Sequence, residues 1–329
     1  MNTRVFGIIA CLIAVLSWGT MFPIMSTVLP KVNPFFFTAI RYTLAGFLFM
    51  AVLAAREGIR SLFDIEKGWL LLLLGSMGFA GFGFLVFFGQ QLAGPHGAFT
   101  ASVFMALMPM LSVFVNRIFR KIRPLPLTVV FICLSFFGAI FAATRGDFRA
   151  LLQLGDTLVA NIVITLGAFC WVSYTIGAIN FPQWSSLKYT TVTTMFSLPT
   201  IYAVNIVLHS TGMVVAPSTG VVFSMWPQIA YMVVIAAFVA VLSWNTGNKI
   251  LTPINGVLFM DVVPAMAFAV STFCGHAPSA AQVFGASCSV IALILNNLYQ
   301  RRSAFRVQPV AKVEPHVTEA GMKVSLGQG

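Results

Sequence analysis

The sequence predicts an all-α integral membrane protein with ten transmembrane helices, arranged as two inverted five-helix repeats. Three observations support this fold class. The chain of 329 residues is 59% hydrophobic and only 8% charged, with a mean hydropathy of +0.93. Its apolar residues fall into ten long runs, and short motifs recur at a nearly constant distance along the chain. Because a soluble domain is roughly 25% charged, this composition excludes a soluble globular protein.

Each of the ten runs reaches the length of about 20 apolar residues that a helix needs to cross the hydrocarbon core. Their predicted bounds are 5–28, 34–55, 68–92, 96–116, 125–143, 156–179, 187–208, 226–247, 250–273 and 279–299. The first run exceeds the apolar region of a signal peptide, and we expect it to be retained as a span. The residues after 300 are polar, and we expect 301–329 to form a disordered cytoplasmic tail.

The lysine and arginine residues predict the orientation of the chain. With the N-terminus inside, 15 of the 19 basic residues lie on the inner side, three lie outside, and Arg41 lies within a span. This asymmetry follows the positive-inside rule and predicts a multi-pass protein of the cell inner (plasma) membrane with both termini in the cytoplasm. Topology thus explains the net charge of +11, and nucleic-acid binding is not needed to account for it.

An internal comparison indicates that the chain contains a duplication. Three pairs of segments match: 103–109 with 258–264 at a shift of 155, 40–43 with 187–190 at a shift of 147, and Trp18 with Trp171 at a shift of 153. We therefore predict two domains, 1–150 and 151–300, each a five-helix repeat. Because five is odd, the second repeat must enter the membrane from the opposite side, an arrangement typical of secondary transporters.

The sequence offers little for catalysis or metal binding. Its five cysteines stand in apolar runs without CxxC spacing, and packing residues are the simplest interpretation. No P-loop is present, and the segments between spans are too short for an ATP-binding domain. We therefore predict no catalytic residue, no metal, no cofactor and no ATP-driven transport by this chain alone.

Several short motifs resemble EamA-type transporters of the drug/metabolite transporter superfamily. They are Leu-Ser-Trp-Gly-Thr at 16–20 in span 1, the Arg-bearing 38–42 at the start of span 2, Gly-Asp at 155–156 with 168–175 in span 6, and Ser-Trp-Asn at 243–245 in span 8. The resemblance extends over residues 4 to about 299. It implies transport of a small solute, since the family includes exporters of amino acids and related metabolites, and some importers.

The sequence departs from that family at three places. The family often has a Gly-Glu pair after the fourth and ninth spans. Here Arg-Lys stands at 120–121 after span 4, and Gly-His stands at 275–276 after span 9. The glutamate that often precedes the proline of span 9 is Val263 here, and the nearest acid is Asp261.

Asp261 is the one carboxylate near the middle of a predicted span. A charged group at that depth costs roughly 2.5–3.5 kcal/mol, so the side chain must face a wet cavity, pair with a cation or be protonated. One interpretation is a site for proton coupling or for a substrate amine, and the other is a structural hydrogen bond or ion pair. The first repeat has Ala106 at the equivalent position.

Five further residues are candidates for the site. Arg41 lies about seven residues into span 2, where it could bind a substrate carboxylate through both guanidinium nitrogens or extend to the outer interface. The mid-depth rings of Trp18, Trp171 and Tyr174 form either the wall of a cavity or part of the core. Asn245 is either a hydrogen-bonding residue of the cavity or a helix cap. We expect the four uncharged residues to line one central space.

Pro109 and Pro264 occupy matched positions inside spans 4 and 9. Proline removes a helical hydrogen bond and kinks the axis, and paired interruptions in two repeats are a sequence indicator of a transporter site. The alternative is a static kink. In either case the backbone carbonyl one turn before each proline, that of Met105 and that of Met260, loses its helical hydrogen-bond donor.

These observations predict a secondary active or facilitative transporter that exports a small metabolite, an amino acid or a related compound, by alternating access. The expected partners are the solute, the lipid bilayer and, if Asp261 couples transport, protons. The oligomeric state, monomer or homodimer, stays open. An integral-membrane enzyme and a channel or receptor built on the same helical bundle are the alternatives.

Overall fold

The computed structural model describes residues 3–119, 121, 125–143, 146–147, 155–273 and 279–306, and this part of the chain contains helices and no strand. We number the longer helical segments in chain order. They are α1 Thr3–Val28, α2 Pro34–Glu57, α3 Gly68–Leu92, α4 Gly97–Phe119, α5 Pro126–Ala143, α6 Gly155–Gly177, α7 Ser186–Ser210, α8 Trp226–Leu251, α9 253–273 and α10 Ala280–Arg306. Short helices at Ile59–Leu62, Gly94–His96, Ala178–Asn180 and Thr219–Ser224 lie between them.

The helices have the length and composition of a multi-pass membrane protein. Within the described ranges, seven helices are long and apolar enough to cross a membrane: α1, α2, α3, α4, Leu158–Asn180 around α6, α7 and α8. Shorter apolar stretches lie at Pro126–Gly138, Asn255–Ala267 and Val283–Asn296. Large apolar side chains such as Phe47, Phe114 and Ile206 are exposed on the outside of the bundle, as contact with lipid requires. The predicted class, an all-α membrane protein, is confirmed at this level.

Helix ends follow local chemistry, and the C-terminal ends of α8 and α10 differ from the predicted bounds by four residues or more. Asn33 caps α2, because its side chain accepts a hydrogen bond from the backbone N–H of Phe35 at 3.0 Å. The predicted ninth span starts at residue 250, whereas α8 continues to Leu251 and Thr252, with a φ of 73°, separates it from α9. The last helix extends to Arg306, six residues into the predicted tail 301–329, and residues 307–329 lie outside the described part of the chain.

Four helices contain an irregular turn. A π-helix occupies Ser76–Gly81 in α3 and another occupies Tyr231–Val239 in α8. A 3-10 turn covers Met105–Leu107 in α4, and another covers Leu258–Asp261 in α9. The 3-10 turns come shortly before the two prolines that the sequence identified, whereas neither π-helix was predicted. Such interruptions leave backbone carbonyls without their usual helical partners.

The packing of the helices surrounds a central aromatic core. Helix α1 packs against α8 and α9, α6 packs against α3 and α4, α2 packs against α7, and α5 packs against α10. Glycine permits the closest approach, since a Cβ on Gly75 would lie 2.2 Å from the backbone oxygen of Thr193, and one on Gly78 would lie 2.5 Å from the ring of Tyr174. These contacts bring α3, α6 and α7 together where the core aromatic side chains meet.

Candidate functional site

A cavity of about 500 Å³ opens at the end of the bundle where α6 connects to α7 and α8 connects to α9. The connection 178–186 and the residues 248–253 form its mouth, and its inner end reaches Asn245 on α8. The lining combines aromatic rings with hydrogen-bonding groups, among them Phe181, Trp184, Tyr189, Asn245, Asn248 and Lys249. This volume and this mixture suit a small organic molecule.

Asn245 forms the inner end of the cavity and is held by two hydrogen bonds. Its amide nitrogen donates to the hydroxyl of Tyr174 and to that of Thr190, each at 2.7 Å. Its amide oxygen is buried and has no hydrogen-bond partner among the described residues. A buried polar atom without a partner costs free energy, so this oxygen is a candidate acceptor for a donor group of a ligand.

Asn248 repeats this pattern one helical turn further along α8, toward the mouth. Its amide nitrogen donates to the backbone oxygen of Trp244 at 2.8 Å, and its amide oxygen lacks a partner within the described ranges. Residues three apart lie on the same helix face, so Asn245 and Asn248 lie on one side of α8, and the amide oxygen of Asn248 packs against Gly256 of α9. The sequence analysis missed Asn248, although its spacing from Asn245 was a usable signal.

A chain of aromatic rings continues from the cavity into the centre of the bundle. Tyr189 stacks on Tyr174 with ring centroids 5.2 Å apart, and Tyr174 contacts Trp171 at 5.2 Å. Trp171 meets Trp18 edge-on at 5.1 Å, and Trp18 contacts Trp244 at 5.3 Å. All five rings are buried. Their packing closes the bundle beyond the cavity, and each ring can stack on a planar ligand if its neighbour moves away.

The structure thus brings together the four uncharged residues that the sequence selected, but gives them different positions. Asn245 lines the cavity, whereas Trp18, Trp171 and Tyr174 pack ring to ring behind it. Sequence analysis missed Tyr189, which does line the cavity and donates its hydroxyl proton to the backbone oxygen of Tyr174 at 2.8 Å.

Arg41 lies deeper, on the far side of the tryptophan cluster. Its side chain is 1% exposed, so it does not extend to the outer interface. Its Nε donates to the backbone oxygen of Met232 at 3.2 Å and one Nη donates to that of Ala236 at 3.0 Å, both within the π-helix of α8. The other Nη has the sulfur of Met21 at 3.7 Å. Within the described residues no carboxylate pairs with this cation, which leaves its charge available to an anion.

Asp261 ends the 3-10 turn of α9 and is buried, at 2% exposure. One of its carboxylate oxygens has no hydrogen-bond partner, and no salt bridge joins it to a lysine or arginine in the described part of the chain. It does not line the cavity at Asn245.

Pro109 and Pro264 are buried beside the two 3-10 turns, and Ser112 donates a hydrogen bond to the carbonyl of Pro109 at 2.7 Å.

Polar contacts join the α2–α3 connection to the rim of the cavity. Lys188 forms a salt bridge with Asp64 at 2.6 Å, and Lys67 donates to the backbone oxygen of Asn180 at 3.1 Å. The hydroxyl of Ser185 caps α7 by accepting a hydrogen bond from the backbone N–H of Lys188. The same hydroxyl donates a hydrogen bond to the carboxylate of Glu57 at 2.5 Å. The rim is therefore held by interactions that can break without disturbing the helix core.

Comparison with known proteins agrees with this architecture. The EamA-like transporter family matches residues 5–144. The uncharacterized transporter YrdR of Bacillus subtilis (strain 168) is 35% identical over 312 residues, which cover 95% of this chain and 97% of that protein. The chain belongs to the EamA-like transporter family. A second similar protein, the uncharacterized transporter YyaM of the same organism, is 26% identical over 279 residues, which cover 84% of this chain and 88% of that protein.

A solved crystal structure shares the fold of this EamA-like chain, with a TM-score of 0.71. It is 22% identical in sequence, and the match covers 91% of this chain and 99% of that chain. The family match and the identity with YrdR confirm the resemblance noted from the motifs of the sequence, so the cavity lies within a membrane transporter.

Proposed function

We propose that this protein is a secondary active or facilitative transporter that exports a small metabolite, an amino acid or a related compound, across the inner membrane by alternating access. The observation that carries the proposal is the cavity, which is open at the Lys249 end and closed beyond Asn245 by the packed rings of Trp18, Trp171 and Tyr174. A solute site that is open to one side and closed to the other is what alternating access requires.

We further propose that the bundle consists of ten spans in two inverted five-helix repeats. Irregular turns support this arrangement, because they recur at matched positions. The π-helices begin at Ser76 and Tyr231, a shift of 155, and the 3-10 turns begin at Met105 and Leu258, a shift of 153. These values agree with the shifts found between the sequence motifs.

The packing partners of the helices support the same proposal. Each helix of the first repeat has its counterpart five positions later, so α1 corresponds to α6, α3 to α8 and α4 to α9. The α1–α8 contact then corresponds to the α6–α3 contact, and α1–α9 corresponds to α6–α4. All four contacts occur in the structure. The α2–α7 and α5–α10 contacts map onto themselves. Such exchange symmetry lets two repeats swap conformations and so convert an inward-open cavity into an outward-open one.

With both termini in the cytoplasm, the orientation proposed from the positive-inside rule, the mouth of the cavity faces the cytoplasm. The connection between α6 and α7 and the end of α8 then lie inside, together with Lys188 and Lys249. A cytoplasmic solute enters the cavity in this conformation, which agrees with export.

The test is flux by the purified protein in liposomes loaded with each member of a panel of amino acids and related small metabolites. We expect saturable uptake of a labelled solute that is stimulated by the same solute inside the vesicle. Flux that stays linear with concentration would indicate a channel, and absence of counterflow across the panel would overturn the proposal.

Two matched variants connect the flux to the cavity. Ser186 lines the cavity at the start of α7, and Ser210 is exposed at the opposite end of the same helix. Ser186→Trp fills part of the cavity and should abolish counterflow, whereas Ser210→Trp adds the same ring elsewhere and should retain it. Equal flux in the two variants would place the solute path outside the cavity.

A further inference from the structure

The charges around the cavity restrict the class of molecule that it can bind. Among its lining residues within the described ranges, Lys249 is the one with a formal charge, and no aspartate or glutamate lines it. The ammonium of Lys249 donates to the backbone oxygen of Trp184 at 2.7 Å and has no carboxylate partner in the described part of the chain. The lining is therefore cationic.

Two acids that contact the rim of the cavity already have partners. Asp64 is paired with Lys188, and Glu57 accepts the hydroxyl proton of Ser185. The ammonium of Lys188 also lies 4.5 Å from the centre of the Trp184 ring, so the aromatic face at the rim already carries a cation. A cationic ligand would meet Lys249 and an occupied ring, and both disfavour its binding.

Deeper in the bundle, the aromatic chain ends at a second cation. Trp18 donates to the backbone oxygen of Ala236, the same oxygen that accepts from Arg41. Arg41 is fully buried and lacks a carboxylate among the described residues. A buried charge without a counter-charge is costly, and a passing anion would supply one. If a solute follows the aromatic chain from the cavity mouth inward, its route begins at Lys249 and ends at Arg41, a basic group at each end.

Between the two cations the route offers rings and neutral hydrogen-bond acceptors. Tyr189, Tyr174 and Trp171 provide ring faces, and the amide oxygens of Asn245 and Asn248 lack partners within the described residues. This combination fits a molecule with a planar ring, a negatively charged group and a hydroxyl or N–H donor.

We propose that the cavity selects small organic anions, namely ring-bearing carboxylates without a compensating amine. This inference rests on the proposed transport function and narrows its substrate from amino acids and related compounds to net-negative members of that group. Lys249 binds the carboxylate at the mouth, the aromatic chain stacks on the ring, and Arg41 provides the counter-charge when the rings separate.

The test is binding to the purified full-length protein at pH 7, followed by the change in intrinsic tryptophan fluorescence. The probes share one skeleton and differ in charge: 3-phenylpropionate, 3-phenyl-1-propanol, 3-phenylpropylamine and the zwitterion phenylalanine. We expect 3-phenylpropionate to bind up to about fivefold more tightly than the alcohol, since one partly exposed ion pair contributes at most about that factor. The zwitterion should bind more weakly than the anion, and the amine most weakly.

Three variants assign the effect to the proposed groups. Lys249→Gln keeps a hydrogen-bond donor for Trp184 and should remove the advantage of the anion while leaving the alcohol unchanged. Glu57→Gln removes a negative charge from the rim and should not weaken the anion. Lys31→Gln removes an exposed lysine far from the cavity and should change no affinity.

The proposal is overturned if the amine or the zwitterion binds as tightly as the anion, if none of the four probes binds at millimolar concentration, or if Lys249→Gln leaves the charge preference intact. Counterflow in liposomes separates this failure from that of the transport function. A protein that exchanges amines or zwitterions is a transporter of another class of solute, whereas one that exchanges no solute of the panel is not the transporter proposed above.

Discussion

The indole nitrogen of Trp18 and the guanidinium of Arg41 donate hydrogen bonds to the same backbone oxygen, that of Ala236, at 2.9 and 3.0 Å. Ala236 lies in the π-helix of α8, whose widened turn makes this carbonyl accessible to side chains. The shared acceptor joins α1, α2 and α8 at one point behind the cavity. A change in the π-helix would therefore move the tryptophan that closes the cavity and the buried cation together.

Asn245 should contribute to transport in a way that other buried asparagines do not. Asn245→Ala removes the donors to Tyr174 and Thr190 and the free amide oxygen, and we expect about a tenfold loss of transport kcat/KM, equivalent to roughly 1.4 kcal/mol. Initial rates of counterflow in liposomes measure it.

Asn205→Ala is the matched control, because Asn205 is buried on α7 and bonds to the carbonyls of Phe35 and Ile201 away from the cavity. It should lower the thermal midpoint of unfolding with little change in flux per folded molecule. Equal loss of flux in both variants would show that Asn245 acts only through stability.

Arg41 should be required for passage through the bundle and not for binding at the mouth. Arg41→Gln removes a buried charge more than one helical turn beyond the cavity residues, and we expect flux to fall by about two orders of magnitude, a difference of roughly 2.7 kcal/mol. Arg41→Lys retains the charge without the planar pair of donors, so its flux should lie between that of the wild type and that of Arg41→Gln.

Binding followed by tryptophan fluorescence should stay within about threefold of the wild-type value in both Arg41 variants. Arg56→Gln, an exposed cation at the other end of α2, is the control and should transport normally. Wild-type flux in Arg41→Gln would remove Arg41 from the solute path.

Asp261 is the candidate for coupling to protons. Asp261→Asn resembles the protonated acid in size but cannot release a proton, so we expect solute exchange to persist while accumulation driven by a pH gradient is lost. Vesicles with an imposed pH gradient, compared with vesicles at equal pH, measure the two activities separately.

Ser289→Ala provides the control for local packing, since Ser289 is buried on α10 and donates a hydrogen bond to the backbone oxygen of Ser135 at 3.0 Å. It should retain accumulation driven by the gradient. Normal accumulation by Asp261→Asn under the same gradient would make Asp261 a structural residue, and coupling would then lie elsewhere or be absent.

Gly75 should be essential for the packing of α3 on α7. A Cβ there would lie 2.2 Å from the backbone oxygen of Thr193, and the backbone of a packed helix cannot yield as a side chain can. We expect Gly75→Ala to cost about 1–3 kcal/mol or more, the range for overpacking a core. A lower thermal midpoint and a smaller folded fraction in size-exclusion chromatography would show it.

Gly220→Ala is the matched control, because among the described residues no atom outside its own turn of helix lies within 4 Å of the added methyl group. Gly220 stands in the short helix Thr219–Ser224, where alanine is favoured over glycine by roughly 0.5–1 kcal/mol. Its stability should stay the same or rise, and an equal loss in both variants would contradict the steric account.

Much of the fold was predictable because the length of an apolar run determines whether a helix can cross a membrane. The π-helices of α3 and α8 were not, since an extra residue in a turn depends on packing against other helices, such as the approach of Gly75 to Thr193. The end of α8 was misplaced because Thr252, which separates it from α9, carries no turn signal as strong as glycine.

The site was only partly predictable for a related reason. Trp18, Trp171 and Tyr174 were selected by their depth, and Asn245 by its hydrogen-bonding side chain. The structure places the four in contact, but the conformation of the bundle determines which of them line a cavity. Tyr189 corresponds to Tyr42 in the matched segments 40–43 and 187–190, so the repeat itself carried a signal for it. Trp184 and Lys249 come together through the fold alone.

The most direct test of the central claim measures the two ends of the bundle in the same preparation. Pairs of spin labels at Glu66 and Thr252, beside the cavity mouth, and at Lys31 and Ser218, on the proposed outer side, report the opening at each face by pulsed electron resonance; all four residues are exposed. Alternating access of two inverted repeats predicts that a transported solute shifts the two distances in opposite directions. Distances that stay fixed during demonstrable flux, or that lengthen together, would contradict the account.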